Sequence, residues 1–411
     1  MTYDVVIIGG GPAGMMTAGR AGERGARVLL LEKNKSLGVK LLVTGNGRCN
    51  ITNISADKKE KIDAYGKNSK FLFSAFSKFG VESTIDFFAE LGVTTKTEDN
   101  GRVFPQSDRS SDVLSALATY LKKNKVEVRY GVEVKDVIKK GKKIEKIILA
   151  NNEEILGKNF VIATGGKSYP DTGSTGDGYA WLKKLGHTIN TPRPALTPIV
   201  VKEKHVKQLE GLSLEGVLLS VYARKKKIIS RFGDIVFTAD GVSGPAIIDL
   251  SNQVGLLLPV PVRLQIDLQP EIEVKELEKK MQNDFHQSNN KILKNYLNSF
   301  LPPKLVPVVL ELTGISEDKR ISTITKEERQ ALLSVLKEFS LEIVGLKDFK
   351  RAMLTAGGVE TKEVDPKTMG SRLFQNLFLV GEILDLDGLS GGFNLQMCWS
   401  TGFVAGDSVS F

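Results

Sequence analysis

The residues best equipped for chemistry stand near the start of the chain. Gly9-Gly10-Gly11-Pro12-Ala13-Gly14 follows an apolar, β-branched run at residues 5–8, and Glu32 closes a second apolar run at 26–31. The first run is long enough for a buried parallel strand and too short for a helix. In Gly-x-Gly-x-x-Gly spacing, Gly9 permits the tight turn, Gly11 lets a pyrophosphate approach the backbone, and Gly14 lets helix and strand pack closely. The helix that opens at Pro12 turns its free N–H groups toward the phosphates. Glu32, 18 residues past Gly14, is placed to accept hydrogen bonds from ribose hydroxyls. Its carboxylate repels a 2′-phosphate, so the spacing predicts an adenosine without one.

That spacing, continued by Ala18 and Gly25, resembles the FAD-binding version of the fingerprint, although the motif alone leaves NAD open. Residues 36–53 combine small residues, amides and cations, a composition that suits a loop against a polar cofactor better than a core helix. Lys40 and Arg48 in that stretch suit phosphate, or the negative charge of a reduced flavin. A strand at 158–162 runs into Ala163-Thr164-Gly165-Gly166, and the loop 171–178 then opens a helix with Tyr179 and Trp181. Near the C-terminus another buried strand meets Gly381-Glu382. The segment Gly391-Gly392-Phe393-Asn394 begins a helix, a second place where backbone N–H groups meet an anion such as the N1–C2=O edge of reduced flavin. No second Gly-x-Gly-x-x-Gly follows a strand, so no separate NAD(P)H domain is expected.

Around these stretches the pattern predicts an α/β nucleotide-binding domain formed by 1–191 and 349–411. Residues 192–268 read as a β-barrel-like insertion and 269–348 as a helical one, with Thr325 and Glu328 forming a capping box. An amphipathic helix is expected over 69–91 with Phe71, Phe76, Phe79, Phe87, Phe88 and Leu91 in the core, and another over 112–123. The insertion is expected to cap the flavin and select the substrate.

The chain's 411 residues, 41% hydrophobic and 26% charged, are those of a globular protein of two or three domains. No run of about twenty apolar residues exists, so no membrane span is expected. The start enters a strand with no basic leader, and the two cysteines, Cys49 and Cys398, form no CxxC pair. Both features favour the cytoplasm. The net charge of +9 lies in clusters at Lys58-Lys59, Lys122-Lys123, Lys139-Lys140, Lys142-Lys143 and Arg224-Lys225-Lys226-Lys227. They are scattered with few aromatics interleaved, which favours a solvated surface over a nucleic-acid track.

The motifs taken together are specific. Gly9–Gly14, Lys40-Leu-Leu-Val-Thr-Gly-Asn-Gly-Arg-Cys-Asn-Ile-Thr-Asn53, Gly101-Arg-Val-Phe-Pro105, Ala163–Gly166, Gly241-Val-Ser-Gly-Pro-Ala246, Thr355-Ala-Gly-Gly-Val359 and Gly381-Glu-Ile-Leu-Asp385 through Gly391-Gly-Phe-Asn-Leu-Gln396 resemble, end to end and in order, the BaiN/HI0933-like flavoprotein family. Its members are often labelled aminoacetone oxidase family or NAD(P)/FAD-dependent oxidoreductases. The resemblance implies a Rossmann-like FAD domain of the glutathione-reductase superfamily, interrupted by a β-barrel-like and a helical segment. It implies FAD contacts at Gly11, Ala13, Gly14, Glu32, Lys33, Lys40, Arg48, Cys49 and Asn50, with Val134 at the adenine end. Thr164, Gly165, Gly381, Glu382, Gly392, Phe393, Asn394 and Leu395 are implied nearer the isoalloxazine. Pro12, Asn46, Gly47, Gly166, Asp385 and Gly391 stand in the same motifs and join the expected set. Two departures bear on the substrate: Ala239-Asp240 stands where members often carry His, and Gly370 where Glu is common.

The expected activity is therefore hydride transfer at flavin N5, with NADH or NADPH as a transient co-substrate. A small enone-like substrate is preferred, and oxidation of a small amine is the alternative. An RNA-associated flavoprotein, prompted by the basic clusters, and a flavin-bound sensor without turnover are the competing classes. No catalytic acid or base is evident. His187, His205 and His286 read as core or surface residues, Tyr169 and Asn46 are the other candidates, and neither cysteine reads as more than a small buried thiol.

Overall fold

The computed structural model describes residues 2–54, 64–98, 100–287 and 290–411, so Lys58 and Lys59 lie outside the described residues. The chain divides into two compact units, Met1–Ala195 with Phe349–Phe411, and Leu196–Asp348.

The first unit is built on a sheet whose parallel strands stand in the order Glu127–Tyr130, Val28–Glu32, Thr2–Ile8, Glu154–Ile162 and Leu377–Leu379. An antiparallel hairpin, Val134–Lys140 and Lys143–Leu149, pairs with the first half of Glu154–Ile162, while Leu377–Leu379 pairs with its second half. Val28–Glu32 is buried along its whole length, as its uninterrupted apolar sequence requires for a strand covered on both faces. The carboxyl ends of four parallel strands thus bring Gly9, Glu32, Thr164 and Gly381 to one edge of the sheet. Ligands bind there in open α/β sheets.

Two helices hold that edge. Pro12–Glu23 and Phe393–Ser408 cross closely because Gly402 and Gly406 carry no side chains: a Cβ there would come within 2.6 Å of Ala13 O and 2.7 Å of Thr17 O. The last helix is also pinned by a buried polar network. Gln396 Nε2 donates to Thr84 Oγ1 (2.9 Å), its Oε1 accepts from Thr52 Oγ1 (2.6 Å), and Trp399 Nε1 donates to the Ile51 carbonyl (3.0 Å). A fully paired network of this kind fixes one arrangement of the elements it joins.

The single helix expected over 69–91 is broken. A 3₁₀ segment, Gly66–Leu72, runs into Phe73–Lys78, and a new helix, Val81–Glu90, starts after Gly80. A Cβ at Gly80 would lie 2.8 Å from Phe76 O, so the chain turns where only glycine fits. Apolar periodicity persists across the break, which is why the pattern reads as one helix.

The second unit contains a closed six-stranded barrel, ordered Ile199–Val201, Gly241–Ser243, Lys226–Thr238, Ser213–Ala223, Val262–Asp267 and Phe339–Leu346. Two features differ from the pattern reading. Pro245–Leu257, inside the stretch read as β, is a helix with Pro at its start. Phe339–Leu346, inside the stretch read as helical, is the strand that closes the barrel. The barrel and the helices Val274–Gln287, Val306–Thr313 and Lys326–Lys337 share one hydrophobic core, from Ile199 to Ile343. The capping box is formed: Glu328 N donates to Thr325 Oγ1 (3.2 Å) and Thr325 N to Glu328 Oε2 (2.8 Å). Thr325→Ala is expected to cost about 1 kcal/mol in a urea melt; an unchanged midpoint would show the cap to be redundant.

Candidate FAD site

A cleft opens at the carboxyl edge of the first unit's sheet, where open α/β sheets bind their ligands. Of the residues expected to bind the cofactor, Gly9, Gly11, Pro12, Ala13, Glu32, Lys33, Lys40, Val134, Thr164, Gly165, Gly381, Glu382, Asn394 and Leu395 line it. They come from both ends of the chain, separated by some 380 positions in sequence.

The glycines divide by role. Gly9 has φ of 107°, open to glycine at no cost, and a Cβ there would strike Ala163 O at 2.5 Å. Gly14 does not line the cleft. It lies behind the turn, where a Cβ would fall 1.9 Å from Gly9 O. Gly11 is different in kind. Its φ of −80° suits any residue and a Cβ there would meet nothing within 4 Å. No contact within the chain demands glycine there, so the free space is the reason for it. Gly11 is also the N-cap of Pro12–Glu23 and offers no capping side chain, which leaves the first N–H groups of that helix for an anion. Thr164 Oγ1 is buried without a hydrogen-bond partner. An open cradle and an uncapped helix start in one cleft fit a phosphate-bearing nucleotide.

At the adenosine end, Glu32 is buried, and its carboxylate accepts from Gly10 N (2.7 Å) and Asn34 N (2.8 Å). It thus braces the glycine turn while facing the cleft. Lys33 donates to Asp177 Oδ2 (2.7 Å) and Thr175 Oγ1 (2.5 Å), tying the end of its strand to the 171–178 loop. That loop contributes Thr172, Ser174, Thr175 and Asp177 to the lining, with Trp181 from the helix beyond. None of these was singled out as a contact from sequence. The available signal was position, since the loop leaves the carboxyl end of a parallel strand.

At the other end, Lys40 and Glu382 form an ion pair of 2.7 Å with side chains 20% and 11% exposed. Lys40 Nζ also donates to Ser168 Oγ (2.6 Å), and Glu382 Oε1 accepts from Ser168 Oγ and Thr355 N (2.9 Å each). Glu382 joins three segments distant in sequence. Cys398 lines this end too, and burial pushes its thiol up to about 12, so it stays protonated at neutral pH.

The remaining expected residues stand outside the lining. Arg48 pairs with Glu98 (2.6 Å) and lies 3.9 Å over the Phe104 ring. Cys49 is fully buried, its thiol also pushed up to about 12 by desolvation. Asn46 is exposed and Gly47 half-buried. Asn50 Oδ1 is buried and unpartnered, and a Cβ at Gly392 would lie 2.8 Å from it. Gly166 packs against Thr355, where a Cβ would meet Oγ1 at 2.3 Å. The Asp385 carboxylate accepts from Asn68 (3.0 Å) and Asn190 (2.8 Å). Gly391 accepts through its carbonyl from Asn53 Nδ2 (2.9 Å), Gly392 caps the last helix, and Phe393 stacks edge-on against Tyr65.

None of the histidines faces the cleft. His187 is held by Glu363 (2.8 Å) and Ser371 (3.0 Å), and burial lowers its pKa. His205 packs on Phe339 and is likewise lowered by burial, while His286 is exposed. Tyr169 is half-buried and outside the lining. Asp240 pairs with Lys347. Among the described residues no cluster of ligands could hold a metal, and no helix is long and apolar enough to cross a membrane.

Comparison with known proteins agrees with this geometry. Residues 3–408 match the model of the HI0933-like protein Rossmann domain. The chain is 33% identical to a 3-dehydro-bile acid delta(4,6)-reductase of Clostridium scindens, over 98% of both chains. It is 29% identical to the ribosomal RNA dihydrouridine synthase of Haemophilus influenzae, again over 98% of both. In fold it is similar to a 3-ketosteroid delta1-dehydrogenase from Sterolibacterium denitrificans, with a TM-score of 0.56 and 12% identity over 99% of both chains. The chain belongs to the HI0933-like Rossmann family and is an FAD-dependent oxidoreductase.

Proposed function

We propose that this protein reduces a carbon–carbon double bond conjugated to a carbonyl, taking its electrons from NADH or NADPH. The observation that carries the reading is the end-to-end likeness to a reductase named for a 3-dehydro-bile acid. Bound FAD supplies a two-electron carrier that passes hydride to such a bond. The chain's own part is binding and charge. The uncapped start of Pro12–Glu23 and the cradle at Gly11 take the pyrophosphate, and Glu32 takes the ribose. Lys40, paired with Glu382, puts a cation on the wall of the cleft. NAD(P)H has no second fingerprint to bind and so visits the same cleft in alternation with the substrate. Reduction also needs a proton at the carbon next to the carbonyl. The Tyr179 hydroxyl donates to Glu382 O (3.2 Å) and burial raises its pKa. The proton is taken from solvent.

A second reading is favoured by a specific observation, the 29% full-length likeness to ribosomal RNA dihydrouridine synthases of two organisms. Uracil, too, carries a ring double bond conjugated to a carbonyl, so the chemistry is shared and only the bearer differs. The test incubates the holoenzyme and NAD(P)H anaerobically with a 3-oxo-4-ene steroid or with deproteinised ribosomal RNA, and examines products by mass spectrometry. A product heavier by two hydrogens is expected from one of them. Turnover of neither, with oxidation of an amine instead, would overturn both readings.

A further inference from the structure

We propose that the barrel hairpin made by Ser213–Ala223 and Lys226–Thr238 is a docking surface for RNA. The proposal rests on the second unit's own surface and goes beyond the reading of the cleft. Residues 217–233 carry Arg224, Lys225, Lys226, Lys227 and Arg231 and no acid. Arg231 is taken up by Asp249 (2.5 Å), whereas Arg224 to Lys227 are exposed and form no ion pair among the described residues. On the neighbouring strand, exposed Arg263 pairs in register with Tyr222 and lies 5.6 Å from its ring.

The turn itself departs from what folding alone would select. Ala223 pairs with Lys226, so Arg224 and Lys225 form a two-residue loop, and both have positive φ, 49° and 66°. Two-residue hairpins of this hand favour Asn-Gly, because most side chains resist that region. The other basic hairpin of the chain follows the rule: Gly141 takes the positive φ of 62°, Lys139 donates to Leu185 O (3.2 Å) and Lys140 faces Glu145 (4.0 Å). The two-residue loop requires positive φ at both positions, and side chains held there against their preference are candidates for a functional role. Here the strain places two unpaired cations at a projecting tip.

The strand leading from the tip adds aromatic surface. Lys227 stands opposite Tyr222, Ser230 opposite Ser220 and Phe232 opposite Leu218, so these three share one face across an irregularity at Ile228, with Ile228 41% and Phe232 59% exposed. Cations that meet phosphates beside an exposed ring on which a base stacks are the elements of single-stranded RNA binding. A membrane-inserting element would need a broad apolar face, which one phenylalanine and one isoleucine do not supply.

The experiment measures retention of deproteinised ribosomal RNA by the FAD-loaded protein on filters, from about 50 to about 200 mM salt. Arg224→Asn with Lys225→Gly removes two charges and also gives the turn its preferred residues. This variant should keep its yellow colour and an equal or higher Tm, yet bind RNA at least tenfold more weakly. Its slope of log affinity against log salt should fall by about 1.4 to 1.8. Lys226→Gln with Lys227→Gln should add a similar loss. Equal affinity and slope in wild type and variants would overturn the proposal. So would wild type that ignores RNA but binds vesicles containing phosphatidylserine. Neither result touches reduction in the cleft, which is read from products.

Discussion

Gly11→Val is expected to give a folded, colourless protein. The backbone at Gly11 is extended, with φ −80° and ψ −175°, a conformation that valine before a proline adopts readily. Its Cβ meets nothing within 4 Å, so the apo-protein should unfold at the wild-type urea midpoint. The branched side chain instead fills the space against the uncapped helix start. FAD affinity should drop on the order of 100-fold or more, about 2.7 kcal/mol. Gly14→Ala should behave in the opposite way. A Cβ 1.9 Å from Gly9 O forces helix and strand apart, and overpacking of that kind costs about 1–3 kcal/mol. The pair of variants separates the glycine kept for the ligand from the glycine kept for the fold. Wild-type flavin content in Gly11→Val would place the pyrophosphate elsewhere.

The second large effect is expected at the Lys40–Glu382 pair. Glu382 accepts three donors from three separate segments with its side chain only 11% exposed. Glu382→Ala strands the Lys40 ammonium, itself 20% exposed, and leaves Ser168 and Thr355 without their acceptor. Removing one partner of such a pair costs about 3 kcal/mol. The conservative variants report on electrostatics instead. Reduced flavin gains negative charge, so a more positive cleft favours it. Glu382→Gln should raise the flavin midpoint potential and Lys40→Met lower it, by on the order of 30 mV for each 1.4 kcal/mol of charge interaction. Potentials that move together in both variants would mean that the pair acts through structure alone.

Much of the nucleotide-binding unit was legible because its signals are local. The strand, glycine turn, helix and acid from Val5 to Glu32 are contiguous, and each residue type there answers to a backbone or ligand requirement. The strand end at Gly381-Glu382 and the helix start at Gly391–Asn394 were legible locally, but their meeting with Lys40 was not, since no local pattern brings residues 40 and 382 to 2.7 Å. The helix Pro245–Leu257 was hidden by its β-rich neighbours, and the strand Phe339–Leu346 by the helix before it. Barrel closure is a long-range constraint, and its evidence is the pairing with Ile199–Val201 rather than any periodicity. Arg48, whose type suits a phosphate loop, pairs with Glu98, and Cys49, read as a small buried thiol, is sealed in the core.

The most direct test is spectral. The purified yellow protein is reduced anaerobically with one equivalent of dithionite, and a 3-oxo-4-ene steroid or uridine-containing ribosomal RNA is then added without oxygen. Recovery of the oxidised flavin band on addition of one of these acceptors is the predicted result. If the band returns with oxygen alone, and small amines bleach the oxidised protein, the enzyme is an oxidase and the account of a conjugated double bond as electron acceptor is contradicted.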